Sequence, residues 1–161
     1  MNEIRFRKSN IVISIILCLL GISFFVYLWM NEDFIVQVIS VFGVSVVLYI
    51  LSIRYRQLVT ANKGTPGLEI NDKGILNSTL SNPLFLSWKE IESFEYGLYK
   101  SNHIFINPKN LEKYKDKNKL IRLIKSIFSP KSDALTIDTD VLETGKKELL
   151  VLLNTRLREN R

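Results

Sequence analysis

The chain has few of the residues on which metal and redox chemistry depend. Its 161 residues include one cysteine, Cys18, and one histidine, His103. A single cysteine excludes an intramolecular disulfide, and one residue of each kind is too few for a His/Cys zinc site within the chain. We therefore expect no metal and no cofactor, and we interpret Cys18 as a packing residue.

Catalytic motifs are also lacking. The glycine-containing stretch at 64–67, GTPG, has neither the lysine nor the spacing of a phosphate-binding loop. His103 is the only conventional base, no cysteine follows it, and the nearby acidic residues occur singly. The sequence predicts no catalytic residue and a protein that is not an enzyme. The alternative from another functional class is an enzyme with an unrecognised site.

Charge is nearly absent from a long stretch close to the N-terminus, where only Glu32 and Asp33 are charged between Ile11 and Ile53. The uncharged runs 11–30 and 34–53 each span about 30 Å as helices, the thickness of a bilayer core. The first run is too long for a secretory signal and lacks a small-residue cleavage site. The sequence predicts transmembrane helices at 11–30 and 34–53 within a membrane anchor, 1–56. A buried helical hairpin of a soluble protein would need more surrounding chain.

The basic residues predict the orientation of this hairpin. Arg5, Arg7 and Lys8 precede the first helix, Arg54 and Arg56 follow the second, and the turn between the helices contains no lysine or arginine. The positive-inside rule places both termini in the cytoplasm. Small residues are candidates for a close contact between the two helices: Ser14, Cys18, Gly21, Ser40 and Gly43.

A second unit follows a polar linker, 57–65, and occupies 66–161. Alternation of apolar residues and the positions of turns predict antiparallel strands near 67–72, 74–80, 84–88, 91–99, 102–107 and 134–138. A leucine-rich stretch predicts a C-terminal capping helix at 141–158, with Thr139 or Asp140 as its N-cap. The predicted fold class is α+β, a helical hairpin followed by an antiparallel sheet.

Positive charge is concentrated between the last two predicted strands. Apolar spacing predicts an amphipathic helix at 110–128, and the segment around it is strongly basic. Its candidate anionic-surface binding residues are Lys109, Lys113, Lys115, Lys117, Lys119, Arg122 and Lys125. Acidic lipid headgroups or an acidic protein are the possible partners, and a solvated charged face is the alternative. Nucleic acid is disfavoured because no groove-reading motif is present.

Two sequence stretches carry a resemblance, PGLEINDKGI at 66–75 and LSWKEI at 86–91. With the preceding hairpin, they resemble a family of small, functionally uncharacterised bacterial membrane proteins with a cytoplasmic pleckstrin-homology-like (PH-like) domain. The resemblance implies a multi-pass protein of the bacterial inner membrane, and it supplies no catalytic residues. The predicted function is that of a membrane-anchored binding module. An accessory or immunity-type protein acting through its transmembrane hairpin is a further alternative.

Overall fold

A computed structural model describes residues 2–30, 33–80, 82–96, 102–114 and 135–160. Within these residues the chain is α+β, with two long N-terminal helices, antiparallel sheets and a C-terminal helix, as predicted. The elements in chain order are β1 (Asn2–Ile4), α1 (Lys8–Trp29), α2 (Phe34–Asn62), β2 (Leu68–Asn71), β3 (Gly74–Asn77), β4 (Leu84–Ser87), β5 (Ile91–Tyr96), β6 (His103–Pro108), β7 (Leu135–Asp138) and α3 (Lys146–Glu159).

Helices α1 and α2 form an antiparallel hairpin whose apolar side chains are largely exposed. Both helices are long and apolar enough to cross a membrane. Asp33 caps α2, because its carboxylate accepts a hydrogen bond from the Ile35 amide at 2.9 Å. Of the small residues predicted at the helix contact, Ser40 is buried, and a Cβ atom on Gly43 would overlap the ring of Phe25.

Both helices continue beyond the uncharged runs at the end where they meet the sheets. Helix α1 begins at Lys8, and α2 runs to Asn62, so most of the expected linker 57–65 is helical. Gln57 and Ala61 are buried there, and this packing stabilises a stretch that is polar in sequence. Gly64, with a φ of 76°, follows the helix end in a conformation that favours glycine.

The strands form a four-stranded sheet in the order β1–β2–β3–β4 and a three-stranded sheet in the order β5–β6–β7, all antiparallel. Strand β1 was not predicted. It precedes the helical hairpin but pairs with β2, which follows it, with Ile4 opposite Leu68. We call the two sheets together with α3 the sheet domain. Residues 2–6, expected in the membrane anchor, belong to this domain. Helices α1 and α2 are therefore inserted between two neighbouring strands.

The core of the sheet domain lies between the two sheets and α3. Leu149, Leu153 and Leu157 of α3 are buried at spacings of four residues, so one face of the helix covers the core. Helix α3 begins at Lys146 rather than at 141, because 139–141 form a 3₁₀ turn and Gly145 is the N-cap. The predicted N-cap at Thr139 or Asp140 is therefore wrong.

A second, smaller core joins the sheet domain to the base of the hairpin. It contains Phe6, Ile11, Ala61 and Val141. Ile11, expected at the start of the first transmembrane helix, has no exposed surface. Both ends of the helical hairpin are therefore packed into the same folded unit.

The predicted basic helix lies mostly outside the described residues. Residues 111–114 form a 3₁₀ turn, and 115–128 are not among the described residues. Residues 97–99, at the end of the predicted strand 91–99, also lie outside the described residues.

Candidate functional site

A cluster of polar side chains lies where α2 meets the sheets. We call it the junction cluster; its members are Arg54, Gln57, Asn77, Thr79, His103 and Asp138. Arg54 and Asp138 form its ion pair, with 2.6 Å between Arg54 Nη1 and Asp138 Oδ2. The two side chains are only 18% and 14% exposed, so the pair is shielded from water. It joins α2 to the last strand of the second sheet.

Gln57 extends the cluster toward the first sheet. Its Oε1 accepts a hydrogen bond from Arg54 Nη1 at 3.0 Å, and its Nε2 donates to the Thr79 carbonyl at 2.7 Å. Gln57 is nearly completely buried, and these bonds give both the oxygen and the nitrogen of its amide group a partner. One turn of α2 therefore contacts both sheets through Arg54 and Gln57.

Asn77 and Thr79 connect the end of β3 to β7. The Asn77 Oδ1 accepts hydrogen bonds from the Thr79 amide and hydroxyl, and its Nδ2 donates to the Thr136 carbonyl at 2.9 Å. The Thr79 hydroxyl accepts in turn from the Asp138 amide at 3.2 Å. Asn77, the last residue of β3, and Thr79 can be buried because these hydrogen bonds replace the ladder bonds where the strand ends.

His103 is the first residue of β6 and lies opposite Asp138 in the strand register. Its Nδ1 is 3.9 Å from Asp138 Oδ1, too far for a hydrogen bond. That nitrogen is buried and has no hydrogen-bond partner within the part of the chain that the structure describes. The side chain as a whole is 42% exposed, so another part of the ring contacts solvent.

Helix α1 is attached to the same region by a separate set of contacts. The Arg7 amide donates to the Val141 carbonyl at 2.7 Å, and Asn10 Nδ2 donates to the Asp140 carbonyl at 2.8 Å. The side chain of Asp140 accepts a hydrogen bond from Asn102 Nδ2 at 2.5 Å. The turn after β7 therefore binds α1 on one side and the start of β6 on the other.

Of the residues predicted to bind an anionic surface, the structure describes Lys109 and Lys113, and both are exposed. Lys109 follows the last residue of β6, and its amide donates to the Glu90 carbonyl at 2.8 Å. It is therefore at the opposite end of β6 from His103, about 20 Å away along the strand. Lys115, Lys117, Lys119, Arg122 and Lys125 lie outside the described residues.

Lys113 already has a partner within the chain. Its ammonium group forms an ion pair with Glu90 and lies 5.4 Å from the centre of the Tyr114 ring. The hydrogen bond from Lys113, and then one from the Ser87 amide, lower the pKa of Glu90. The same pair raises the pKa of Lys113, while burial raises the pKa of Tyr114. This pair attaches the start of the basic segment to the turn before β5.

Sequence reasoning missed the junction cluster because its members come from widely separated parts of the chain. The sequence contained two signals. One was the pair Arg54 and Gln57, polar residues close behind an apolar run, and the other was the polar stretch at 77–79. The cluster contains no arrangement typical of a metal centre. No group of three histidine, cysteine, aspartate or glutamate residues in the described ranges could hold a metal ion.

The chain matches no family model, no curated protein and no solved structure at a significant level.

Proposed function

We propose that this protein is a membrane-anchored, non-enzymatic binding module whose sheet domain is PH-like and cytoplasmic. The observation that carries the proposal is the insertion of α1 and α2 between β1 and β2. In addition, Arg54 joins α2 to β7. A domain attached at both ends of a hairpin has a defined orientation at the membrane, which suits binding in a fixed geometry.

The sheet arrangement supports the PH-like assignment. A four-stranded and a three-stranded antiparallel sheet, followed by a C-terminal helix that covers the core, are the parts expected of such a domain. The proposed function does not follow from this fold alone, because one fold supports many functions.

The flanking charges support an inner-membrane location with both termini in the cytoplasm. Arg5, Lys8 and Arg56 are exposed close to the ends of the hairpin, whereas the turn at 31–33 has no basic residue. Because β1 and β2 belong to one sheet, the segments before and after the hairpin lie together at the same end of the hairpin. The positive-inside rule assigns that end to the cytoplasm.

We propose an acidic protein as the partner of the basic segment at 109–131. Lys109 leaves the sheet at the end of β6 that is distant from Arg54 and from the base of the hairpin. The separation of about 20 Å between His103 and Lys109 is more than twice the Debye length of about 8 Å at physiological salt. This placement favours a partner that approaches the far end of β6 over the membrane surface next to the hairpin.

The test is crosslinking and affinity purification of the full-length protein from native bacterial membranes. Full-length protein is required because an isolated 66–161 fragment would lack β1. One variant replaces Lys109, Lys115, Lys117 and Lys119 by glutamine and leaves Lys113, the partner of Glu90, in place. Its matched control replaces the exposed Lys63, Lys73, Lys89 and Lys147, which lie outside the basic segment.

A single acidic protein that is recovered with the wild type and the control, but lost with the basic-segment variant, is the expected result. Equal recovery with both variants would contradict the proposed site. A closer approach of the domain to the bilayer in anionic than in neutral nanodiscs, seen with the full-length protein and lost in the basic-segment variant, would instead identify the membrane as the occupant. Localisation of the full-length protein to the soluble fraction would overturn the anchored module itself.

A further inference from the structure

A row of four side chains crosses the outer face of the first sheet. The register pairs Glu3 with Glu69, Glu69 with Leu76, and Leu76 with Phe85. Each of the four has a neighbour in its strand whose side chain belongs to the core, so the four side chains point away from the core. We call them the outer row. Three spacings between strands give it a length of about 14 Å.

The β4 end of the outer row is an exposed apolar surface. Phe85 is 47% exposed and lies on a strand at the edge of the sheet. Leu76, its register partner, is half-buried and extends the apolar surface by one strand. An aromatic side chain held in water by a strand is a suitable anchor for a partner, because covering it removes a large apolar area from water.

The β1 end of the outer row is acidic. Glu3 and Glu69 lie directly opposite each other, an arrangement of like charges that destabilises a sheet. Neither carboxylate forms an ion pair with any residue in the ranges that the structure describes, including Arg5, two positions after Glu3. Cations supplied by a partner would relieve this repulsion.

The two ends together indicate the chemistry of an occupant. A segment with an apolar side chain at one end and lysine or arginine at the other would cover Phe85 and neutralise both carboxylates. About ten residues of helix have the length of the row. An anionic membrane surface does not fit, because it would repel the carboxylates. The chain's own basic segment connects β6 with β7 in the second sheet, whereas the outer row lies on the first.

We propose that the outer face of the first sheet is a docking surface for a basic, amphipathic segment of another protein. An apolar side chain of that segment covers Phe85 and Leu76, and its cationic side chains pair with Glu3 and Glu69. This surface is on a different face of the domain from the basic segment and takes a partner of the opposite charge. Failure of the acidic-partner proposal would therefore leave it unaffected.

The first test uses full-length protein in neutral-lipid nanodiscs and a synthetic, fluorescently labelled peptide. The peptide has about ten residues, with leucines on one helical face and lysines on the other. A reference peptide has glutamates in place of the lysines, and empty nanodiscs give the background. Fluorescence anisotropy should show that the basic peptide binds at least about tenfold more tightly than the acidic one, and less tightly as salt is added.

Variants assign this binding to the outer row. Phe85→Ala should weaken binding of the basic peptide about tenfold, because it removes the apolar anchor. The double variant Glu3→Gln, Glu69→Gln should weaken it about three- to tenfold and reduce its salt dependence. The matched controls, Val151→Ala and Glu143→Gln, change an exposed apolar and an exposed acidic side chain elsewhere on the domain, and they should bind as the wild type does.

Equal binding of the two peptides, or equal affinities of the outer-row variants and the controls, would overturn the docking surface. Circular dichroism establishes that each compared variant is folded. If Phe85→Ala does not fold, the double glutamine variant decides the result by itself.

The second test identifies the natural occupant. A photo-crosslinking analogue of phenylalanine replaces Phe85 in full-length protein in native bacterial membranes, and mass spectrometry determines the crosslinked sequence. The expected product is a basic, amphipathic segment of another protein, and it should be lost in the double glutamine variant. Crosslinks confined to lipid, to the same molecule or to a second copy of this chain would overturn the assignment to another protein.

Discussion

Arg54 on α2 and Asp138 on β7 are 84 positions apart in sequence, yet their Nη1 and Oδ2 atoms are 2.6 Å apart. This pair makes the last turns of α2 part of the sheet domain. Its position next to Ile53, the end of the uncharged run, places the contact where the proposed membrane ends. The pair is therefore the most direct link between the orientation of the hairpin and that of the domain.

We expect Arg54→Gln and Asp138→Asn each to lower the free energy of unfolding of the sheet domain by about 1–3 kcal/mol. Each variant leaves a partly buried polar group without its charged partner. The double variant should cost less than the sum of the single variants, because it removes a single shared interaction. Unfolding is followed by the fluorescence of the buried Trp88 in a Trp29→Phe background in detergent. Strict additivity would show that the pair is not energetically coupled.

Ile11 and Ile13 provide a matched test of which part of α1 belongs to the sheet domain. Ile11 has no exposed surface and packs with Phe6, whereas Ile13 is 54% exposed on the hairpin. Ile11→Ala should cost about 2–4 kcal/mol of sheet-domain stability through the cavity it leaves. Ile13→Ala should change that stability by less than about 0.5 kcal/mol. The same Trp88 signal measures both variants, and equal losses would contradict the assignment of Ile11 to the second core.

The two hairpin glycines should respond differently to alanine. A Cβ on Gly43 would overlap the ring of Phe25, whereas a Cβ on Gly21 would be 3.8 Å from Val47, an ordinary contact. Gly43→Ala should therefore destabilise the α1–α2 contact by about 1–3 kcal/mol. Gly21→Ala should be neutral or slightly stabilising, since alanine is the better helix former. Thermal unfolding monitored by helical circular dichroism in detergent distinguishes them, and equal shifts would argue against this helix packing.

The Glu90–Lys113 pair predicts a small dependence of stability on pH. Hydrogen bonds hold the pKa of Glu90 below its ordinary value of 4.5. The pair therefore contributes stability above pH 4.5 and loses it as the pH falls through the lowered pKa. Because the Glu90 side chain is 34% exposed, the contribution is less than about 1 kcal/mol.

Glu90→Gln should consequently reduce stability at neutral pH, and its difference from the wild type should disappear in acid. Chemical unfolding at a series of pH values measures this difference. Glu143→Gln, at an exposed position outside the pair, is the control and should show no comparable pH-dependent difference. A constant difference between Glu90→Gln and the wild type at all pH values would show that the charge of Glu90 is not responsible.

The sequence was sufficient to predict the elements whose signals are local. The long uncharged runs predicted α1 and α2. Asn71, whose side chain accepts hydrogen bonds from the Lys73 and Gly74 amides, marked the turn between β2 and β3. The leucine-rich stretch predicted that an apolar face of α3 would cover the core, with five leucines, of which Leu149, Leu153 and Leu157 are buried and the other two only partly buried. In each case the periodicity or turn chemistry is contained within a few residues.

The features that were not predicted depend on distant partners. Strand β1 has three residues, too few to show alternation, and its partner β2 comes after the whole hairpin. The extension of α2 is stabilised by Asp138 and Thr79, which are far from Arg54 and Gln57 in sequence. Of the predicted binding residues, Lys113 proved to be paired with Glu90, a contact that charge composition alone does not indicate.

The pairing of β1 with β2 gives the hairpin a role in the folding of the sheet domain. Closing a long flexible loop between Ile4 and Leu68 would carry a large entropic cost. The antiparallel pairing of α1 and α2 holds the two ends of that loop close together. Insertion of the hairpin into the proposed membrane would then lower the entropic cost of pairing β1 with β2 in a domain outside it. A defect in helix packing at Gly43 would consequently slow assembly of the four-stranded sheet, although no strand residue is altered.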